Sequence, residues 1–197
     1  VTVNITNDDV YEVTEDVDFS INTPANATLG TNTTHQLDIT NDDAAPEVDF
    51  VLASSNANEN VGTHNIIITM TELTYEDVVV NVNTNVGSTA TVGGANDYTL
   101  SSVPVTITQG TTLQTVTVTV NDDGDIEPTE TVILDLAGIS GGGASLNGDL
   151  QHTFAIQDND ASAFTWDGDS GVDQNWSRGD NWVGGSAPST GDIAIFN

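Results

Sequence analysis

The sequence predicts an all-β chain built of tandem, immunoglobulin-sized antiparallel β-sandwiches, on three observations. Apolar and polar residues alternate with the period of two that half-buried strands require. No stretch of useful length carries a helical period. One pattern of strands and acidic loops occurs twice, about 115 positions apart, which is the length of one sandwich domain.

Taken in order, Val1-Val3-Ile5 alternates and predicts a strand, followed by two more that end at Asp43. A complete set of seven follows, near 47–53, 63–71, 78–84, 103–108, 114–121, 130–137 and 151–157. Examples are Ile66-Ile68-Met70, Val78-Val80-Val82, Val116-Val118-Val120 and Val132-Leu134-Leu136. Turn residues separate them, as in Gly93-Gly94-Ala95-Asn96 and Gly141-Gly142-Gly143.

The repeat sets the organisation. At an offset of 115, Val1, Val3, Asp8, Glu12, Thr14, Glu15 and Val17 meet identical residues. His35–Asp43 meets His152–Asp160 at an offset of 117, so the intervening loop differs by two residues. Residues 1–43 then read as the C-terminal half of one module and 45–160 as a complete one. Residues 161–197, which hold Trp166, Trp176 and Trp182, read as the start of a further unit. Three strands do not close a sandwich, so the half module is expected to be completed by a preceding segment or by another chain.

Composition narrows the function. The chain carries 30 acidic residues against one basic residue, for a formal charge of −29. Nucleic acid and anionic membrane surfaces are excluded as partners, because neither tolerates such a surface. No apolar run is long enough for a membrane span. With 37% hydrophobic residues, the chain still has the material for a core. It has no Cys, hence neither disulfides nor thiolate metal sites, and no Lys for an isopeptide crosslink. A hard cation is the stabiliser that suits this much negative charge.

In the complete module the acids gather between strands. Asp122–Glu130 places five carboxylates in nine residues. Asp158-Asn159-Asp160 ends the last strand, Asp97 precedes Tyr98, and Glu59 sits in a turn after the first strand. Alternate loops of a sandwich emerge at one end, so these segments can converge. Carboxylates that converge repel unless a cation lies among them. Calcium, with six to eight oxygen ligands drawn from flexible loops, fits better than magnesium or zinc.

The segments Asp122–Glu130 (DDGDIEPTE), Asn96-Asp97-Tyr98, the Gly-Thr at Gly110 and Ile156–Asp160 (IQDND) together resemble the Calx-beta domain, a calcium-binding immunoglobulin-like module. The resemblance covers 45–160 and, as a half copy, 1–43. It implies calcium ligands at Glu59, Asp97, Asp122, Asp123, Glu127, Glu130, Asp158 and Asp160, with a backbone carbonyl from Asp125. Position 159 is Asn and offers a neutral oxygen. In the half copy the matches are Asn7, Asp8, Glu12, Glu15, Asn41, Asp42 and Asp43. Two Asn replace Asp there, which predicts a weaker or incomplete site.

The tail from Phe164 resembles the opening unit of autotransporter-type surface repeats, through Trp-x-Gly, Asn-Trp and a Gly-Asp before an apolar strand. It reads as a small Trp-stapled β segment, with glycan stacking by Trp176 or Trp182 as the functional alternative. The three histidines form no site, and His35 and His152 occupy equivalent strand positions. The expected function is non-enzymatic: a calcium-binding structural or adhesive segment of a large extracellular or cell-surface protein. Its partners are neighbouring modules of the same or an identical chain, and a surface or glycan ligand. The alternatives are an accessory module of a secreted hydrolase and a self-assembling fibre subunit whose strands complete a second chain.

Overall fold

The computed structural model describes residues 1–93, 97–101 and 103–196. Asn96, part of the Asn96-Asp97-Tyr98 motif, lies outside them. The fold is all-β. The first 43 residues hold β1 (Val10–Tyr11), β2 (Glu15–Ser20) and β3 (Thr34–Ile39). The complete module holds β4 (Glu47–Phe50), β5 (Ser54–Asn58), β6 (Thr63–Met70), β7 (Leu73–Thr74), β8 (Val78–Thr84), β9 (Tyr98–Ser101), β10 (Val105–Ile107), β11 (Leu113–Val120), β12 (Glu130–Ser140), β13 (Ser145–Leu146) and β14 (Gln151–Gln157). The tail adds β15 (Ala163–Trp166) and β16 (Ile193–Phe196).

Two five-stranded sheets form the sandwich, in the orders β10-β8-β12-β14-β5 and β13-β4-β6-β11-β9. The period-two pattern builds its interior. Val48 and Phe50, Ile66 to Met70, Val116 to Val120, Val132 to Leu136, and Phe154 and Ile156 all send alternate side chains inward and are buried. Each fully buried side chain of this size contributes about 1.5–3 kcal/mol.

Of the first predicted strand, 47–53, only β4 forms; residues 51–53 cross to the other sheet, where β5 follows as a strand that was not foreseen. β4 pairs antiparallel with β6, whereas β5 pairs parallel with β14. Between them Val51 donates to the Ile67 carbonyl of one sheet (3.0 Å), and Ala53 accepts from Thr153 of the other (2.9 Å). Val51 and Leu52 are exposed at this crossing, so two adjacent apolar residues mimic a continued strand without being one. β7, β9 and β13 were not foreseen either, and the sandwich is not purely antiparallel, because β5 and β13 add parallel edges.

Val1–Ile5 was expected to be a strand and is not; Val1, Val3 and Ile5 are exposed. Its equivalent, β11, is held between β6 and β9, and residues 1–43 contain no counterpart of either. The remaining half module keeps the repeat's geometry. Glu15↔Ile39, Val17↔Leu37 and Phe19↔His35 in β2–β3 correspond to Glu130↔Ile156, Val132↔Phe154 and Leu134↔His152 in β12–β14. All six residue pairs of β2–β3 coincide under the two offsets. The exposed apolar face of β2–β3, with Val1 and Val3, lines a groove of about 600 Å³.

The two modules meet through β1, which pairs parallel with β7, and Tyr75 donates to the Tyr11 carbonyl (3.2 Å). The Tyr11 ring lies over Gly143, whose φ of 62° and lack of a side chain make the seat. Gly143→Ala therefore forces a Cβ into that ring from a left-handed backbone. It is expected to cost about 1–3 kcal/mol, read as a lowered urea midpoint. Gly30→Ala, in open space, is expected to change the midpoint negligibly.

Candidate metal centre

Strand ends bring the acids together. β5 runs parallel to β14 with Asn58 opposite Gln157, so Glu59 and Asp158 emerge side by side. Glu130 opens β12 opposite Ile156, which aims the preceding Asp122–Thr129 loop at the same end. Asp97 leads into β9 and is fixed there because Asn121 donates to its carbonyl (2.9 Å) and Thr91 donates to its carboxylate.

The result is two trios of carboxylates. Glu59, Asp158 and Asp160 place oxygens within 4.8 Å of one another, and so do Asp97, Glu127 and Glu130. Glu59 and Asp158 of the first trio and all of the second border one cavity of about 10 Å³, which Asn121, Asp123, Pro128 and Ile156 also line. That volume suits an ion or a single water and excludes an organic substrate.

Asp122 and Asp123 lie on the rim. Asp122 faces Glu59 electrostatically, Asp123 faces Glu127, and the Asp123 carboxylate accepts from the Asp125 amide (2.8 Å). Asp125 is exposed and acts on Glu127 through its charge. Asn159 has a role that sequence reasoning missed. It accepts from the Asn60 amide (3.0 Å) and donates to Asp122 (3.3 Å), tying three loops together. Its amide, unlike a carboxylate, both donates and accepts.

The donor set fits a hard cation. Glu59 is 4% exposed, yet its Oε1 has no hydrogen-bond partner, and the Asp160 Oδ2 is equally buried and unpartnered. Leaving such oxygens unsatisfied is costly, and an all-oxygen cluster of carboxylates is what calcium takes. Burial, contact with the Asp160 carboxylate and the charges of Asp158 and Asp122 push Glu59 up to about 7. Burial, contact with Asp97, and repulsion from Asp97 and Glu127 do the same to Glu130. Glu127 is raised by burial and by four neighbouring carboxylates.

The half module assembles less. Asn7, Asp8, Glu12, Glu15, Asn41, Asp42 and Asp43 line a cavity of about 60 Å³. Among the described residues, no trio of carboxylates forms there. Asn41, at the position of Asp158, accepts from the Glu12 amide (3.3 Å) and donates to the Asp43 carbonyl (3.1 Å), so it braces the loop. Burial and the charges of Asp8, Glu15 and Asp43 raise Glu12. Burial also raises Asp43, together with Asp42, Asp8, Asp9 and Glu72 of the next module.

In the tail, Trp182 is 1% exposed and its indole donates to the Trp176 carbonyl (2.9 Å). Trp166 and Trp176 both pack edge-on against it at 5.1 Å. Trp182 is thus a staple and presents no face for a glycan; Trp176 remains half exposed.

The raised carboxyls make a signed prediction. Between about 4.5 and 7 the folded protein holds protons that the unfolded chain has lost, so without a cation its stability falls as pH rises through that window. Glu59→Gln removes one such charge. In chelator it should gain on the wild type from pH 5 to pH 8 in urea unfolding; a pH-independent difference between the two would contradict the assignment.

A search of curated proteins found no match. Among solved structures, CBD12 from CALX1.2 aligns with a TM-score of 0.50 at 21% identity, over 61% of this chain and 47% of that one. The chain therefore spans about half of that structure, and the likeness shows the fold. The apo-form Calx CBD1 domain aligns with a TM-score of 0.49 at 22% identity, over 59% of this chain and all of that one. The Calx-beta domain matches residues 1–43 and again 41–160. The chain belongs to the Calx-beta domain family of calcium-binding β-sandwich modules.

Proposed function

We propose that this chain is a non-enzymatic, calcium-binding structural segment of a large extracellular or cell-surface protein, in which ions stiffen a string of β-sandwiches. The observation that carries the reading is the buried, unpartnered Glu59 Oε1, which faces Asp158 and Asp160 beside a second carboxylate trio. Glu59, Asp97, Glu127, Glu130, Asp158 and Asp160 hold calcium directly, and Asp122, Asp123 and Asp125 complete the shell from the rim. When bound, the ion supplies charge neutralisation and a rigid link between loops from both sheets.

The non-enzymatic reading is supported by the cavity of about 10 Å³, which suits an ion better than an organic substrate. The half module's loop, which carries Asp8 and Glu12, also carries Tyr11 into the joint with β7. Ions at either loop cluster thus bear on the string's stiffness.

The open β2–β3 face supports a modular arrangement as well. It matches a face that β12 and β14 bury in the complete module, so counterparts of the strands packed there are its natural cover. A neighbouring module of the same chain supplies them most directly. An identical chain that did so would make a self-assembling fibre, and would show as a concentration-dependent mass in light scattering.

Calcium titration tests the reading. Calorimetry should detect binding, and calcium at a hundred times its dissociation constant should stabilise the fold by about 2.7 kcal/mol. Glu130→Gln should weaken it by at least tenfold. A chain that gives no heat with calcium and melts identically in chelator would overturn the proposal.

A further inference from the structure

A partly buried relay outside the carboxylate cluster crosses the sandwich edge. Ser55 on β5 lies 2.8 Å from the Nε2 of His152 on β14, and 2.9 Å from the Nε2 of His64 on β6. The His152 Nδ1 bonds the Leu52 carbonyl. Because that carbonyl only accepts, Nδ1 carries the proton and Nε2 of His152 is bare. Ser55 therefore donates its hydroxyl proton to His152 and accepts from the Nε2–H of His64. The chain is saturated when both imidazoles are neutral.

Its position makes it a clasp. β5 and β14 belong to one sheet and β6 to the other, so the relay spans both at the point where the chain changes sheets. The His64 ring stacks on Phe154 at 4.3 Å, with 5° between planes, and His152 is 2% exposed beside Phe50. β5 is the sheet's edge and leads directly into Glu59.

We propose that His64, Ser55 and His152 form an acid-sensitive clasp that holds edge strand β5 across the two sheets. A proton added to His152 fills the nitrogen that accepts from Ser55, and Ser55 must then turn its own proton elsewhere. A proton on both rings aims two cationic donors at one hydroxyl. Among the described residues, the titratable group facing each ring is the other imidazole. Around them stand Ser55 on β5, Val118 opposite His64 on β11, Leu134 opposite His152 on β12, and the rings of Phe50 and Phe154. Asp135, one register pair away, is engaged by Asn85 and Gln151.

Burial lowers both imidazoles. His152 adds to the effect on His64, and the Leu52 carbonyl partly offsets it on His152. As pH falls below about 6.5 the unfolded or released segment takes up protons that the clasped one refuses, so the clasp weakens in acid. This slope is opposite to that of the raised carboxyls.

Amide hydrogen exchange of the full chain in excess chelator tests the clasp, with rates corrected for intrinsic pH dependence. Between pH 7.5 and pH 5.0 protection of residues 54–58 is expected to fall about tenfold relative to the His152→Gln variant, which shares the carboxyls' titration. His152→Gln or His64→Gln, which do not titrate, should flatten that dependence, and Ser55→Ala should lose protection already at pH 7.5. The wild-type imidazole protons, followed by NMR, should titrate below 6.5, which keeps the test open where a variant does not fold. A pH slope that is the same in the wild type and both Gln variants, full protection in Ser55→Ala, or imidazoles titrating at or above 6.5 would each overturn the proposal.

Discussion

Repulsion among carboxylates at one end of the sandwich is the constraint to which the rest of the structure answers. Two trios stand beside one small cavity. At an effective dielectric near 20, unit charges about 5 Å apart repel by about 3 kcal/mol per pair. Nothing cationic among the protein's own side chains offsets this: the one basic residue, Arg178, lies in the tail beside Asp173 and Asp180. Protons relieve the repulsion up to about pH 7, and a bound divalent ion would relieve it above. The β core holds the loops at fixed strand ends.

That core was largely legible in the sequence, because alternation in a sandwich maps directly onto the buried face. Ile66-Ile68-Met70 and Val116-Val118-Val120 lie inside as read. The repeat was legible in more detail, and its offsets carry through to the strand register of β2–β3 and β12–β14. Pattern alone failed where tertiary context decides. Val1–Ile5 alternates but has no neighbouring strands to pair with. Val51 and Leu52 are apolar yet lie exposed where the chain crosses between the sheets, and the break between β4 and β5 leaves no local signal.

At the acidic end, the sequence showed where acids gather and the family resemblance implied which are ligands, and topology decides which of them converge. The parallel pairing of β5 with β14 seats Glu59 beside Asp158, a relation no local motif contains. Asn159 shows the same limit. In sequence it is a weak substitute for Asp; in the structure its two-way hydrogen bonding ties loops that a carboxylate would repel. The histidines look unrelated in sequence at positions 64 and 152, and only the sheet crossing joins them through Ser55.

Anomalous diffraction from calcium-soaked crystals, recorded at a wavelength where calcium scatters anomalously, addresses the central claim most directly. The account predicts peaks about 2.3–2.6 Å from oxygens of Glu59, Asp158 and Asp160, and of Asp97, Glu127 and Glu130. A cavity with no anomalous peak at saturating calcium, its carboxyls bridged by protons or water alone, would contradict it.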